Sequence, residues 1–417
     1  MLLGPVDNQA SCGVISNLGD AKSNLAKTGS SSKLLNAQSS HRGTTNMWLK
    51  NCWQVAAFAS EIGEAPCARR LLGEAVLLFR LSGGKAVALQ DQCPHRLLPL
   101  SHGQRIGDEI QCAYHGLKFA GDGRCTHIPG QAVIPDNSRA ITYPLFERNG
   151  LAWIWLGTKE LADETLVPNF PWMEPAHWRQ SSGYHYFKCD YRLITDNLLD
   201  LSHENYVHKR SIGNGVEEDI AKYPVTVTSE GGTIIRAHRE MLNIEPPPFF
   251  ELILATRKRI DRWQTAIYMP PGINMTEAGA YIAGTSRADA AVNRIMHLLT
   301  PETATSSHYF WCVSRNYRLD DAALGKAITQ SVSSTFDEDR TILALQQLVI
   351  SDTLPSTLPR FATTLDEAPI RARRVLDRWM REKSKNDAFV APVMPLVPDE
   401  SKTPAMQAAP AGPSIRV

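Results

Sequence analysis

The chain has 417 residues, of which 43% are apolar and 21% charged, with a formal net charge of +1. That length accommodates two domains with real cores, and the near-neutral charge gives no electrostatic reason to expect nucleic acid or an anionic membrane as partner. No run approaches the ~20 consecutive apolar residues of a membrane span, and the N-terminus lacks the regions of a secretory signal. The expectation is a cytoplasmic protein whose cysteines are free thiols and metal ligands rather than disulfides.

Residues 1–45 are rich in Ser, Asn, Gly, Lys and Thr with no sustained period, and read as a disordered leader. Residues 46–157 read as a small antiparallel-β domain. Ala75 to Leu81 and Lys85 to Gln90 are strands joined at Ser82-Gly83-Gly84. Ile141 to Glu147 and Leu151 to Leu156 flank Asn149-Gly150, and a third hairpin turns at Gly121-Asp122-Gly123. Residues 158–385 form a second domain. Its expected elements are a strand from Tyr184 to Arg192, a helix from Leu193 to Val207, and hairpins around Gly231-Gly232 and through Arg259 to Met275. A strand from His308 to Tyr317 and helices near 320–350 and 366–382 follow. The fold class is therefore α+β, with helices packed on an antiparallel sheet. Residues 386–417, with Pro392, Pro395, Pro398, Pro404, Pro410 and Pro413, read as an irregular tail.

Two loops in the first domain carry chemistry: Cys93-Pro94-His95 and Cys112-Ala113-Tyr114-His115. Each offers one thiolate and one imidazole, which is the inventory of a Rieske [2Fe–2S] cluster, with two Cys on one iron and two His on the other. Structural zinc sites generally pair Cys with Cys and His with His along the chain, so zinc is the weaker reading. Cys12, Cys52, Cys67, Cys125, Cys189 and Cys312 lack partners at ligand spacing and read as packing or surface thiols.

The second domain offers His203 and His208 near the end of an amphipathic helix, most of a 2-His-1-carboxylate set that leaves metal positions open. Five residues span roughly 140° of an ideal helix, so that helix must end or distort for the rings to converge. The carboxylate must come from elsewhere. The helix near 320–350 carries Asp337, Glu338 and Asp339, and its apolar stripe runs Ile328, Val332, Phe336, Leu343, Gln347 with a gap that Asp339 fills. A carboxylate on a buried stripe is costly unless paired or bound to metal. Asp337, beside Ser333, Ser334 and Thr341, lies on the polar side, and Glu338 is intermediate. Asp339 is the expected ligand.

Together these motifs resemble the Rieske non-haem iron oxygenases, in particular the vanillate O-demethylase branch, over roughly residues 47–382. Further matching runs are Lys50 to Trp53, Cys189 to Leu193, Asp196 to His208, Ser211 to Gly213 and Arg373 to Arg378. The resemblance implies that Cys93, His95, Cys112 and His115 hold the cluster and that His203, His208 and Asp339 hold a mononuclear Fe(2+). It implies that Asp200 bridges the two centres toward His115 of the partner subunit in a head-to-tail homotrimer, and that Asn197 lies near the iron without firmly ligating it. Electrons would come from an NAD(P)H-dependent flavin and iron–sulfur reductase, directly or through a ferredoxin. The chain itself has no nucleotide-binding glycine motif. The implied activity is O2-dependent O-demethylation of a small methoxy aromatic acid with release of formaldehyde. N-dealkylation, methyl hydroxylation and ring dioxygenation are the alternatives within the class, and a non-catalytic Rieske electron carrier is the alternative outside it. The acidic loop Gly213 to Lys222 reads equally as a flap over the site and as a solvated charge run. No single basic residue identifies an anchor for a substrate acid group.

Overall fold

The computed structural model describes residues 47–174, 177–209, 211–213, 219–353, 361–386 and 388–391. The leader, the tail beyond Ala391, and residues 214–218 of the Gly213–Lys222 loop, Glu217 and Glu218 among them, lie outside the described residues.

The N-terminal half is built from three small antiparallel sheets. Its strands are β1 (Trp53–Phe58), β2 (Cys67–Leu71), β3 (Glu74–Arg80), β4 (Ala86–Gln90), β5 (Gln104–Ile106), β6 (Glu109–Gln111), β7 (Lys118–Ala120), β8 (Cys125–His127), β9 (Thr142–Tyr143), β10 (Leu145–Arg148) and β11 (Leu151–Trp155). The sheet orders are β1-β11-β10, β2-β3-β4-β9 and β5-β6-β7-β8. The expected hairpins form where the turn residues demanded them. Gly84 and Gly123 have positive φ, and Asn149 and Gly150 both sit in the left-handed region at 54° and 74°, which a two-residue turn of this hand requires. The run from Ile141 to Glu147 is not one strand. Pro144, which has no N–H to give a ladder, divides it into β9, paired with β4, and β10, paired with β11.

The C-terminal half begins with β12 (Arg179–Phe187), α1 (Tyr191–Leu199) and α2 (Glu204–Val207). Then come β13 (Thr226–Glu230), β14 (Ile234–Ile244), α3 (Pro248–Leu254), β15 (Ile260–Met269), β16 (Ile273–Ile282), β17 (Ala291–Thr303), β18 (Ser306–Arg315), α4 (Ala322–Asp352) and α5 (Glu367–Lys385). One seven-stranded antiparallel sheet runs β12-β18-β17-β16-β15-β14-β13, so the fold is α+β as expected. The strand expected to reach Arg192 ends at Phe187, because Asp190 caps α1 by accepting from the Arg192 amide at 2.9 Å. The helix expected from Leu193 to Val207 is two helices. β17 and α3 were not expected.

One face of the large sheet packs on the β1-β11 pair. Trp53, Val55, Trp153 and Trp155 share a buried cluster with Ile267, Met275, Met296 and Phe310. Main-chain bonds tie the halves further, from Leu72 N to Pro301 O at 2.7 Å and from Gly73 N to Glu302 O at 3.0 Å. The opposite face carries α1, α4 and the cavity described below. The tail also contributes at its start: Phe389 meets Trp379 with ring centroids 6.1 Å apart, and Ala391 is buried.

Candidate metal centres

The two Cys–His loops are built alike. In the first, Cys93 N donates to Leu98 O and Leu97 N to Cys93 O, both at 2.8 Å; in the second, Cys112 N donates to Leu117 O at 2.8 Å and Gly116 N to Cys112 O at 3.0 Å. Each loop turns through a left-handed residue, Leu97 at φ 61° and Gly116 at φ 71°. The turn drives both sulfurs inward and both rings outward: Cys93 and Cys112 are 2% exposed, whereas His95 and His115 are exposed with ring centroids 4.6 Å apart. Burial pushes the Cys93 thiol up, while the His95 and Arg96 amides donate to its sulfur and the Cys112 thiol lies beside it. Paired buried sulfurs beneath paired exposed imidazoles fit a cluster with one iron on each pair, and amide donors to sulfur favour its reduced form.

The second centre depends on where α1 stops. Asp200 leaves the helical region at φ −116°, ψ 89°, and its carboxylate accepts from the Ser202 amide at 3.0 Å and the Ser202 hydroxyl at 2.6 Å. That cap starts a new turn, Leu201–His203, which passes into α2; His208 closes α2. The distortion expected between the two histidines therefore falls mainly before His203, and the shortened α2 brings the rings to 5.1 Å.

Each histidine is oriented through Nδ1. His203 Nδ1 lies 2.7 Å from the Asp200 carbonyl oxygen, which makes it the N–H, and His208 Nδ1 lies 2.6 Å from Glu338 Oε2. The two Nε2 atoms then face Asp339 Oδ1 at 3.6 Å and 3.2 Å. Two lone pairs and a carboxylate oxygen, all acceptors, converge within 4.8 Å. A cation resolves that arrangement, whereas a proton on His208 satisfies only one of the pairs. Burial opposes protonation of His208, and the Asp339 and Glu338 carboxylates outweigh it and hold its pKa above the usual value. Asn197 completes the ring, its Nδ2 donating to Asp339 Oδ1 at 3.1 Å and lying 3.4 Å from His203 Nε2.

The helical phase of α4 is as expected. Asp339 is 5% exposed, in line with Val332, Phe336 and Leu343, whereas Asp337 faces outward toward Arg340 at 2.8 Å. Sequence reasoning passed over Glu338, which is half-exposed yet fixes the tautomer of His208. The signal available was chemical: a ligating histidine needs an acceptor at its other nitrogen.

These side chains open into a cavity bordered by Leu201, Ile212, Phe249, Phe250, Val332 and Phe336. Its floor is the large sheet, where Thr276, Ala278, Ile295 and His297 face inward. His297 is neutral, its pKa lowered to about 3 by burial. α3, β16 and β17 supply much of the lining.

Comparison with known proteins agrees with this architecture. Residues 52–141 match the Rieske [2Fe-2S] domain and residues 187–382 the vanillate O-demethylase oxygenase C-terminal domain. An iron-sulfur subunit of a toluene-4-sulfonate monooxygenase system from Comamonas testosteroni is 36% identical, over 82% of this chain and 100% of that protein. A vanillate O-demethylase oxygenase subunit from a Pseudomonas species is 35% identical, over 83% of this chain and 99% of that one. The crystal structure of dicamba monooxygenase bound to 3,6-dichlorosalicylic acid superposes with a TM-score of 0.76 at 29% identity, covering 80% of this chain and 98% of that one. The chain belongs to the Rieske non-haem iron oxygenases, oxidoreductases that use a [2Fe–2S] cluster and a mononuclear iron. Among the described residues no helix is long and apolar enough to cross a membrane.

Proposed function

We propose that this chain is the terminal oxygenase of a multicomponent system that O-demethylates a methoxy aromatic acid and releases formaldehyde. The observation that carries the reading is the convergence of three acceptor atoms, from His203, His208 and Asp339, at one end of an apolar cavity sized for small molecules. In this reading Cys93, His95, Cys112 and His115 hold the cluster, and His203, His208 and Asp339 hold the iron. The bound metals supply electron transfer and O2 reduction, which together hydroxylate a substrate C–H bond.

The chain's own residues position and insulate. Asp200 and Glu338 fix the two imidazoles, Asn197 holds the Asp339 carboxylate, and the phenylalanine walls exclude water. When the attacked carbon is a methyl on oxygen, the resulting hemiacetal collapses to a phenol and formaldehyde. A pocket that holds this methyl at the iron leaves the ring edge out of reach, and a misplacement on the order of 1 Å is enough to suppress the competing reaction. Asp200 takes a second part, linking the iron site to His115 of the partner subunit in a head-to-tail trimer. Its half-buried carboxylate sits on the same residue whose carbonyl accepts from His203 Nδ1, and His203 is one of the residues that would hold the iron.

The test is a substrate panel. The purified protein, containing about three irons per chain, is supplied with a ferredoxin reductase, NADH, and methoxybenzoates, N-alkyl anilides, toluene derivatives or unsubstituted aromatics. Formaldehyde from the methoxybenzoates, matched to NADH consumed, is the expected result. Formation of cis-dihydrodiols without formaldehyde, or stoichiometric zinc in a colourless protein, defeats the reading.

A further inference from the structure

A charged group lies on the cavity wall, apart from the three metal-binding side chains. Arg262, on β15, is 2% exposed and borders the cavity. Its guanidinium lies over the Phe250 ring at 4.6 Å, and its cross-strand neighbours are Met241 and Ala280, with Ala278 nearby on the next strand. The alanines leave room above the sheet. Its one acidic partner, Glu204, stands next in the chain to His203 and accepts from Arg262 Nη2 at 3.3 Å, long for a charge-assisted bond.

Glu204 is also heavily shared. Gln264 Nε2 donates to its other oxygen, and the buried Arg239 on β14 feels the same carboxylate, with Asp200 and Asp219 also around it. Arg262 Nε and Gln264 Oε1 have no hydrogen-bond partner among the described residues. A guanidinium removed from water with a donor unmet is costly unless a ligand completes it. Of the charged side chains that border the cavity, Glu204 and Asp339 stand against Arg262; with a divalent iron at Asp339 one positive charge remains, which a single monoanion neutralises.

We propose that Arg262 recognises the acid group of the substrate, so that the cavity takes an aromatic carboxylate or sulfonate with its acid end at β15 and its methyl-bearing end at His203, His208 and Asp339. This deepens the oxygenase reading and rests on it for which end reacts. Arg262 sets specificity, with Glu204 holding the guanidinium in place and Phe250 beneath it.

The experiment measures binding rather than turnover. Wild-type holoenzyme and the variants Arg262→Gln and Arg262→Lys are titrated calorimetrically with 4-methoxybenzoate, toluene-4-sulfonate and the neutral ester methyl 4-methoxybenzoate. Arg262→Gln is expected to weaken both anions roughly 10- to 100-fold and the ester by less than about twofold, and Arg262→Lys to recover part of the loss. Comparing the two anions tells whether a carboxylate or a sulfonate is the better fit. Equal loss of acid and ester marks Arg262 as a structural strut and overturns the proposal, as does unchanged acid binding. Should Arg262→Gln fail to fold, the wild type decides: a preference for acid over ester of similar size supports the proposal, and equal affinity refutes it. Tight acid binding without formaldehyde would sink the O-demethylase reading while leaving the role of Arg262 intact.

Discussion

Replacing Glu338 with alanine removes the acceptor that holds His208 with Nδ1 protonated. The contact is 2.6 Å long and the histidine side chain is 1% exposed, so the fixed carboxylate is lost and only solvent entering at the half-exposed position 338 could replace it. An unmet buried N–H costs about 1–3 kcal/mol, and the imidazole can relieve it by moving the proton to Nε2, the atom that faces Asp339 at 3.2 Å. That tautomer cannot ligate a metal through Nε2. Loss of such an orienting partner lowers metal affinity by roughly 10- to 100-fold. Glu338→Ala is therefore expected to release mononuclear iron to a chelator at concentrations that leave the wild type loaded, with the visible spectrum of the cluster unchanged. Glu338→Gln, which keeps an acceptor oxygen, should recover most of the affinity. Iron retention by Glu338→Ala within about twofold of wild type would refute the reasoning, because it would mean that Nδ1 needs no fixed acceptor.

Three further outcomes are expected. Asp339→Ala should lose mononuclear iron and turnover while keeping the cluster spectrum, and Asp337→Ala, whose carboxylate meets Arg340 at the surface, should lose neither; exchanged behaviour would place the register of α4 in error. Asp200→Asn should leave both metals bound and the cluster reducible, yet slow single-turnover oxidation of the cluster; a fully active monomer would contradict the inter-subunit route. Buried His308 has its pKa lowered to about 4, by burial and then by Arg69, from an ordinary 6.5, and it is held neutral between Tyr184 and the Arg70 carbonyl. The unfolded chain then binds a proton below about pH 6.5 that the folded chain refuses, so stability is full above that pH and falls as pH drops toward 4. The share of the loss due to His308 is roughly 2 kcal/mol by about pH 5, read from denaturant midpoints, and His308→Gln should remove that share while the fall due to buried His297 remains. Parallel pH profiles for the two proteins would show that His308 is not the group responsible.

Much of the architecture and most of the candidate site were legible in the chain. Gly84, Gly123 and Asn149-Gly150 specify their hairpins because the required positive φ is a property of those residues themselves. The cluster loops were legible because each is a few residues long, so ligand spacing along the chain is ligand spacing in space. Asp339 stood out against Asp337 and Glu338 because helical phase is local, and the buried row of α4 follows the stripe residue for residue.

What the sequence left open involves partners far apart along the chain. The break at Asp200 is written in an Asp-x-Ser cap, but its consequence, two rings 5.1 Å apart, also involves Glu204 of α2 bonding to Arg262 and Gln264 on β15. β17 was invisible because Asn293, His297 and Thr300 are buried along it, so the polar–apolar alternation of a half-exposed strand is missing. Glu338 meets His208 across 130 residues and Arg262 meets Glu204 across 58. In the chain both are ordinary surface-type residues; the fold removes the water around His208 and Arg262, and only then do hydrogen bonds that solvent would have supplied become the geometry of the site.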